Sequence, residues 1–109
     1  MKLTPAARDR VIADLVHQIV ARVGPLRIIL FGSSATGTTR PDSDIDLLIV
    51  MPEGTHRRRT AQQLYLEIQN VPIAFDLVVA TPADLERHRD NPGLIYRRIL
   101  TEGRELYAA

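Results

Sequence analysis

The residues best suited to chemistry lie in one stretch of the chain, residues 30–50, with the sequence LFGSSATGTTRPDSDIDLLIV. A Gly32-Ser33 turn follows one apolar run, and Asp44 and Asp46 introduce the next. Because side chains alternate along a strand, residues two apart point to the same side, so these two carboxylates project together. Like charges this close repel each other, and a fold tolerates them mainly when a cation lies between them. The pattern therefore favours a hard divalent ion such as Mg²⁺, which prefers carboxylate oxygens.

A third carboxylate, Asp76, interrupts the apolar run IAFDLVVA at residues 73–80. Burying an unpaired charge is costly, so an acid in such a run needs a reason. An edge strand or an arginine partner would explain it, and so would a place on a strand beside Asp44 and Asp46. Because that acid pair is already present, we favour the last explanation, which predicts a cluster of three carboxylates.

A glycine turn beside a carboxylate cluster is suited to nucleotide transfer. The N–H groups of the turn and the Ser33 hydroxyl can hold the terminal phosphates of a nucleoside triphosphate. Two metal ions about 4 Å apart can activate an acceptor hydroxyl and stabilise the departing oxygen. In this scheme Asp44 and Asp46 bridge the ions, and Asp76 holds the ion nearer the acceptor and takes up its proton. The predicted reaction is transfer of a nucleoside monophosphate with release of pyrophosphate.

Two other ion-binding motifs fit the same stretch less well. Four acids have the first, third, fifth and twelfth spacing of a calcium-binding EF-hand loop: Asp42, Asp44, Asp46 and Glu53. Leu47 stands where that loop needs glycine and begins a strand-like run, so we reject the EF-hand. The segment 32–37 begins and ends with glycine, as a P-loop does, but Thr38 stands in place of the required lysine.

Strands and helices in alternation are expected to position these residues. The predicted strands are short apolar runs rich in branched residues, at 28–31, 45–50 and 73–80, with a short edge strand at 104–107. The predicted helices have apolar residues at helical spacing and recognisable ends: one from Thr4-Pro5 to Gly24, one over 55–70, one that Thr81 caps, and one that Gly103 ends.

Length and composition indicate one soluble domain. The 109 residues, 45% hydrophobic, suffice for one core and are too few for two ordinary domains, so we predict a single domain over 1–109. The net charge of +1 lacks the global basic field of a nucleic-acid binder, and no direct nucleic-acid contact is predicted. The chain has no cysteine, a charged N-terminal segment and no apolar run of membrane-spanning length. We therefore predict a cytoplasmic protein without a membrane partner.

The motif resembles the signature of the polymerase β-type nucleotidyltransferase superfamily, in which Gly-Ser, ten residues and Asp-x-Asp follow one another. Here Gly32-Ser33 is followed by residues 34–43 and then by Asp44-Ile45-Asp46. From Arg27 to Tyr107 the chain is most similar to the minimal nucleotidyltransferases, which are small prokaryotic domains. The segments SDIDLLIV and FDLVVATP look like that family, and Asp76 matches its third acid.

The resemblance implies the α/β (α+β) fold of that superfamily, a small mixed β-sheet with helices packed mainly on one face. It implies an enzyme that uses two Mg²⁺ ions and ATP. The catalytic and metal-binding residues that it assigns are Asp44, Asp46 and Asp76, and the nucleotide-binding residues are Gly32, Ser33, Ser34 and Arg40. Relatives often carry arginines where this chain has Ser34 and Thr36, and Arg40 is the nearby candidate to substitute for them.

The resemblance also implies a partner. Minimal nucleotidyltransferases commonly serve as antitoxins beside a HEPN-domain ribonuclease, and members of this kind attach AMP to a tyrosine of that toxin. The chain leaves no residues for an acceptor-binding domain, so the acceptor is expected on another chain, in a hetero-oligomer with the toxin. Two alternatives stay open: an antitoxin that neutralises its partner by binding alone, and a nucleotidyltransferase that acts on a small molecule or RNA.

Overall fold

The computed structural model of the chain describes residues 3–32, 43–91 and 95–109. The helices in these ranges are α1 (Pro5–Val23), α2 (Arg57–Glu67), α3 (Pro82–His88) and α4 (Ile95–Glu102). The strands are β1 (Arg27–Phe31), β2 (Ile45–Val50), β3 (Phe75–Ala80) and β4 (Arg104–Ala108). Each predicted element is therefore present, although β3 begins later than predicted and α2 is shorter at both ends.

The four strands form one mixed sheet in the order β3-β2-β1-β4. Strand β1 is antiparallel to both β2 and β4, whereas β2 and β3 run parallel. In the parallel pair, Asp46 lies opposite Asp76. On the other side of β2, Phe31 lies opposite Asp46, so that the turn at Gly32 leaves β1 at the same end of the sheet. The register thus brings Gly32, Asp46 and Asp76 to the same end of the sheet.

The larger hydrophobic core fills the space between one face of the sheet and the two longer helices, α1 and α2. Leu15, Ile19 and Leu64 of these helices are fully buried against alternate residues of the strands. On β2 those residues are Ile45, Leu47 and Ile49, as the period of two in a strand requires. The prediction of a small mixed sheet with helices packed on it is therefore confirmed, and the two longer helices lie on this face.

A smaller core covers part of the opposite face. Leu85 of α3 and Ile99 of α4 pack there with Ile29, Leu48 and Val50 of the strands. Because Asp46 lies two residues before Leu48, its side chain belongs to this second face. Asp46 thus lies at one end of this second face, and α3 and α4 cover the same face further along the strands.

Local signals explain where the helices begin and end. The Thr4 hydroxyl accepts the N–H of Ala7 at 3.1 Å, and α1 ends at Gly24 in the left-handed conformation, with φ of 55°. Thr81 and Asp84 form a reciprocal capping box at the start of α3. Across the described part of the chain, the helices lack the combination of length and apolar character needed to cross a bilayer.

Strand β3 lies at an edge of the sheet, and α2 shields it. The Tyr65 hydroxyl accepts the backbone N–H of Leu77 at 2.8 Å. The Tyr65 ring stacks on Phe75, with the centroids 5.7 Å apart and the planes within 10°. An exposed edge strand is open to pairing with other chains, and a side chain that occupies one of its donors limits such pairing.

Candidate functional site

The pairing of β2 with β3 brings two of the three predicted carboxylates side by side. Adjacent strands lie about 4.8 Å apart, and residues in register point to the same face. Asp46 is partly buried, and Asp76 is exposed on the edge strand. Two of the three explanations offered for Asp76 therefore apply together: it lies on an edge strand, and it lies next to Asp46. The third carboxylate, Asp44, is exposed and immediately precedes β2.

The electrostatics of this end centre on Asp46. Burial raises the pKa of the Asp46 carboxyl above its ordinary value, and the neighbouring charges of Asp76 and Asp44 raise it further. The guanidinium of Arg8 acts in the opposite direction and lowers that pKa. A carboxylate whose charge is opposed by its surroundings gains most from a cation placed beside it.

Gly32 brings the backbone into contact with this carboxylate. Its φ is 74°, in the left-handed region that favours glycine, and a Cβ built on it would lie 2.6 Å from Oδ2 of Asp46. Any other residue would therefore strain the turn and collide with the acid. The sequence predicted that this turn holds phosphates, and the group that lies next to Gly32 among the described residues is the carboxylate of Asp46.

The remaining predicted nucleotide-binding residues, Ser33, Ser34 and Arg40, lie outside the described residues, as does Thr36. Their roles stay predictions. Within residues 3–32, 43–91 and 95–109, no three acidic or imidazole side chains, Asp44, Asp46 and Asp76 included, lie close enough together to hold a metal ion. Mg²⁺ is usually held by one or two carboxylates together with substrate phosphates and water, so the all-oxygen pair of Asp46 and Asp76 fits this ion.

Sequence reasoning missed one residue of this region, Arg8. Only 7% of this arginine is exposed, and its two terminal nitrogens donate to the carbonyl oxygens of Ser43, at 2.7 Å, and Asp44, at 3.3 Å. The available signal was weak: Arg8 is a cation in the first turns of a helix, where the helix dipole disfavours positive charge. Its carbonyl partners lie 35 and 36 residues away, beyond any local pattern.

Solved structures share this fold. A Sulfolobus solfataricus protein provisionally assigned as a nucleotidyltransferase superposes with a TM-score of 0.62 at 17% identity, over 91% of this chain and 78% of the other. A toxin–antitoxin structure solved with AMP-PNP superposes with a TM-score of 0.54 at 24% identity, over 88% of this chain and 73% of the other. At such identities the likeness establishes the fold.

The sequence itself carries the family assignment. No curated protein sequence is significantly similar to the chain. The model of the nucleotidyltransferase domain family, however, matches residues 12–106. This match spans β1, Gly32, the acid pair and the strand that bears Asp76. The chain therefore belongs to the nucleotidyltransferase domain family.

Proposed function

We propose that this nucleotidyltransferase domain transfers AMP from ATP to a hydroxyl group of a partner protein, with Asp44, Asp46 and Asp76 as its working carboxylates. The observation that carries the proposal is the register of β2 and β3, which sets Asp46 beside Asp76 at the end of the sheet where Gly32 leaves β1. Membership of the nucleotidyltransferase family supports nucleotidyl transfer as the reaction.

The three carboxylates are assigned different roles because they differ in exposure and in position on the strands. Asp44 and Asp46 would hold Mg²⁺, which would supply positive charge to the triphosphate and the departing pyrophosphate. The acceptor oxygen forms a bond to the α-phosphorus as the bond between this phosphorus and the bridging oxygen of pyrophosphate breaks. Asp76, exposed on its edge strand, accepts the proton that leaves the acceptor hydroxyl. Two Mg²⁺ ions are proposed, with Asp76 contributing to the one nearer the acceptor.

The proposed partner is a HEPN-domain toxin, with a tyrosine as the acceptor and a hetero-oligomer as the working assembly. The toxin–antitoxin structure solved with AMP-PNP shares the fold of this chain, which supports the combination of a nucleotide and a protein partner. The exposed position of Asp76 also supports it, since an acceptor carried by another protein can reach an acid at a sheet edge. In this proposal the chain works as an antitoxin in the cytoplasm.

The test combines the protein with the product of its neighbouring gene, ATP and Mg²⁺, and follows the intact mass of both proteins. We expect the partner to gain the mass of one or more AMP groups and to lose its toxicity. The double substitution Asp44→Asn with Asp46→Asn should abolish both effects, since it removes the charges that hold the cation. Glu86→Gln is the matched control, because Glu86 is an exposed acid whose ion pair with Arg89 lies on α3.

Two results would contradict the proposal. If the partner gains no AMP and the double variant still neutralises it, the protein inhibits by binding, without chemistry. If labelled AMP appears instead on RNA or on a small molecule while the partner stays unmodified, the reaction class is right and the acceptor is wrong. Because the mass of the partner and its toxicity are both measured, the two results are distinguishable.

A further inference from the structure

We propose that Arg8 of α1 is a positioning residue for the acid pair. Its guanidinium holds the main chain at Ser43 and Asp44 and thereby sets the geometry in which Asp44 and Asp46 bind a divalent cation. The inference rests on the proposed function, because it concerns the same carboxylates. It adds a residue from a distant helix to a site whose predicted members lie in the turn and on the strands.

The contacts hold the segment before β2 from two sides. On one side, Arg8 donates through Nη1 to the carbonyl of Ser43 at 2.7 Å and through Nη2 to the carbonyl of Asp44 at 3.3 Å. On the other side, the N–H of Ile45 donates to the carbonyl of Ala74 at 3.0 Å. Asp44 lies between these anchor points, just before the register of β2 with β3 begins at Ile45.

A positive charge at position 8 does not stabilise helix α1. A cation in the first turns of a helix opposes the helix dipole, and a buried charge needs compensating partners. The two carbonyl oxygens supply such partners, since they carry the partial negative charge that a guanidinium fork matches. The tertiary contact with the start of β2, and not helix stability, accounts for an arginine at this place.

The packing of helix α1 in the larger core fixes the position from which Arg8 makes this contact. Leu15 and Ile19, further along the same helix, are fully buried in the larger core. Asp46 is paired on both sides within the sheet, but Asp44 lies outside the strand and depends more on Arg8. Loss of Arg8 should therefore disturb the orientation of Asp44 more than that of Asp46.

The chain provides a matched control in Arg22, which is also on α1. Its Nη1 donates to the carbonyl of Gln18 at 3.3 Å, and its Nη2 donates to the carbonyl of Glu67, at the end of α2, at 3.1 Å. Arg22 thus joins α1 to the end of α2 through one carbonyl contact and makes a second contact within α1, and neither carbonyl belongs to the acidic end of the sheet.

The experiment compares Arg8→Met with Arg22→Met. Methionine keeps much of the apolar stem and removes the guanidinium in both variants. Mn²⁺, added alone, serves as the probe cation, and the electron paramagnetic resonance signal of free Mn²⁺ measures its binding. We expect Arg8→Met to weaken Mn²⁺ binding about tenfold, as substitutions behind metal ligands commonly do. Arg22→Met should leave Mn²⁺ binding unchanged while it lowers the melting temperature, which circular dichroism follows.

Equal Mn²⁺ affinities for Arg8→Met and Arg22→Met would overturn the inference. If Arg8→Met does not fold, Arg8→Lys decides the question, since the ammonium keeps the charge but cannot span both carbonyls as a planar fork. We expect Arg8→Lys to fold and to bind Mn²⁺ more weakly than the parent protein. Parental Mn²⁺ affinity in a folded Arg8→Lys protein would show that Arg8 serves stability alone.

The inference and the proposed function fail in different ways. If Asp44→Asn with Asp46→Asn leaves Mn²⁺ binding unchanged, the acids do not hold the cation and both are wrong. If Mn²⁺ binding depends on the acids and on Arg8 but no AMP reaches the partner, the positioning role stands and the proposed reaction fails.

Discussion

At the scale of single residues, the site depends on how close groups come to Asp46. Gly32 approaches this carboxylate from the turn after β1, Asp76 lies beside it on β3, and Arg8 acts on it from α1. Each of these residues comes from a different element, and each changes either the space or the charge around one acid. Substitutions here should therefore separate the effects of backbone strain from the effects on the carboxylate.

Gly32→Ala tests that separation, with Gly54→Ala as its control. Both glycines have positive φ, 74° and 89°, so alanine should cost each variant about 1–2 kcal/mol of unfolding free energy. The methyl group at position 32 would collide with Asp46, whereas no atom of the described residues lies within 4 Å of a Cβ at position 54. Urea unfolding measures the first effect and Mn²⁺ titration the second. Loss of Mn²⁺ binding in both variants would refute the assigned role of Gly32.

At the scale of elements, short-range signals were the predictable part of the fold. Thr4 and Gly24 bound α1 as their chemistry requires, and Thr81 caps α3 with Asp84 in return. A short apolar run rich in branched residues likewise predicted β2 at Ile45–Val50. These predictions succeed because the groups that decide them are a few residues apart.

The pairing of elements was harder to derive. The hypothesis that Asp76 lies beside the acid pair came from its unusual place in an apolar run, and the register sets Asp76 opposite one member of that pair, Asp46. No local pattern sets this register, because α2 separates the two strands and its packing positions β3. Arg8 escaped notice for the same reason, since its carbonyl partners are distant in sequence.

The capping box of α3 yields a prediction about pH. The Thr81 backbone N–H donates to the Asp84 carboxylate at 2.9 Å and lowers its pKa, and Arg57, 3.3 Å away, also favours the charged form. Because the folded-state pKa is depressed, the stabilisation is complete above the unfolded value, near 3.8, and is lost as pH falls through the folded value. Asp84→Ala should cost about 1–2 kcal/mol at neutral pH.

Urea unfolding of Asp84→Ala and the parent protein between neutral and strongly acidic pH measures this loss. The difference between them should shrink below the unfolded pKa of the carboxyl, as the parent loses the charged cap. Glu86→Ala, on the same helix, is the control, because its carboxylate is exposed and pairs only locally with Arg89. A difference that stays constant across the whole range would show that the charge of Asp84 contributes nothing.

At the scale of the whole molecule, the clustered acids oppose folding in the absence of a cation. The raised pKa of Asp46 means that its charged form is less favourable in the folded chain than in the unfolded one. This cost appears as pH rises through the folded-state pKa and persists at neutral pH. A cation bound by the folded protein alone should offset it.

Asp46→Asn should therefore change thermal stability in opposite ways with and without metal. Without Mg²⁺, the variant should melt above the parent protein, because a charge is no longer buried at position 46 and the repulsion with Asp76 and Asp44 is relieved. With saturating Mg²⁺, the parent should gain about 2.7 kcal/mol at a hundred times its Kd, and the variant much less. Differential scanning calorimetry in EDTA and in Mg²⁺ gives both values. A parent protein that is more stable than the variant in EDTA would contradict the repulsion.

The placement of Asp46 and Asp76 on separate strands also bears on when the site can form. The strands pair in parallel and are joined through α2, so their alignment requires a long-range connection to close. Contacts of this kind form slowly, since the loop entropy is lost before the pairing compensates for it. During synthesis, a ribosome-bound chain that ends before β3 contains Gly32, Asp44 and Asp46 but lacks the strand that carries Asp76. Cation binding should consequently appear late in folding, as a property of the completed sheet.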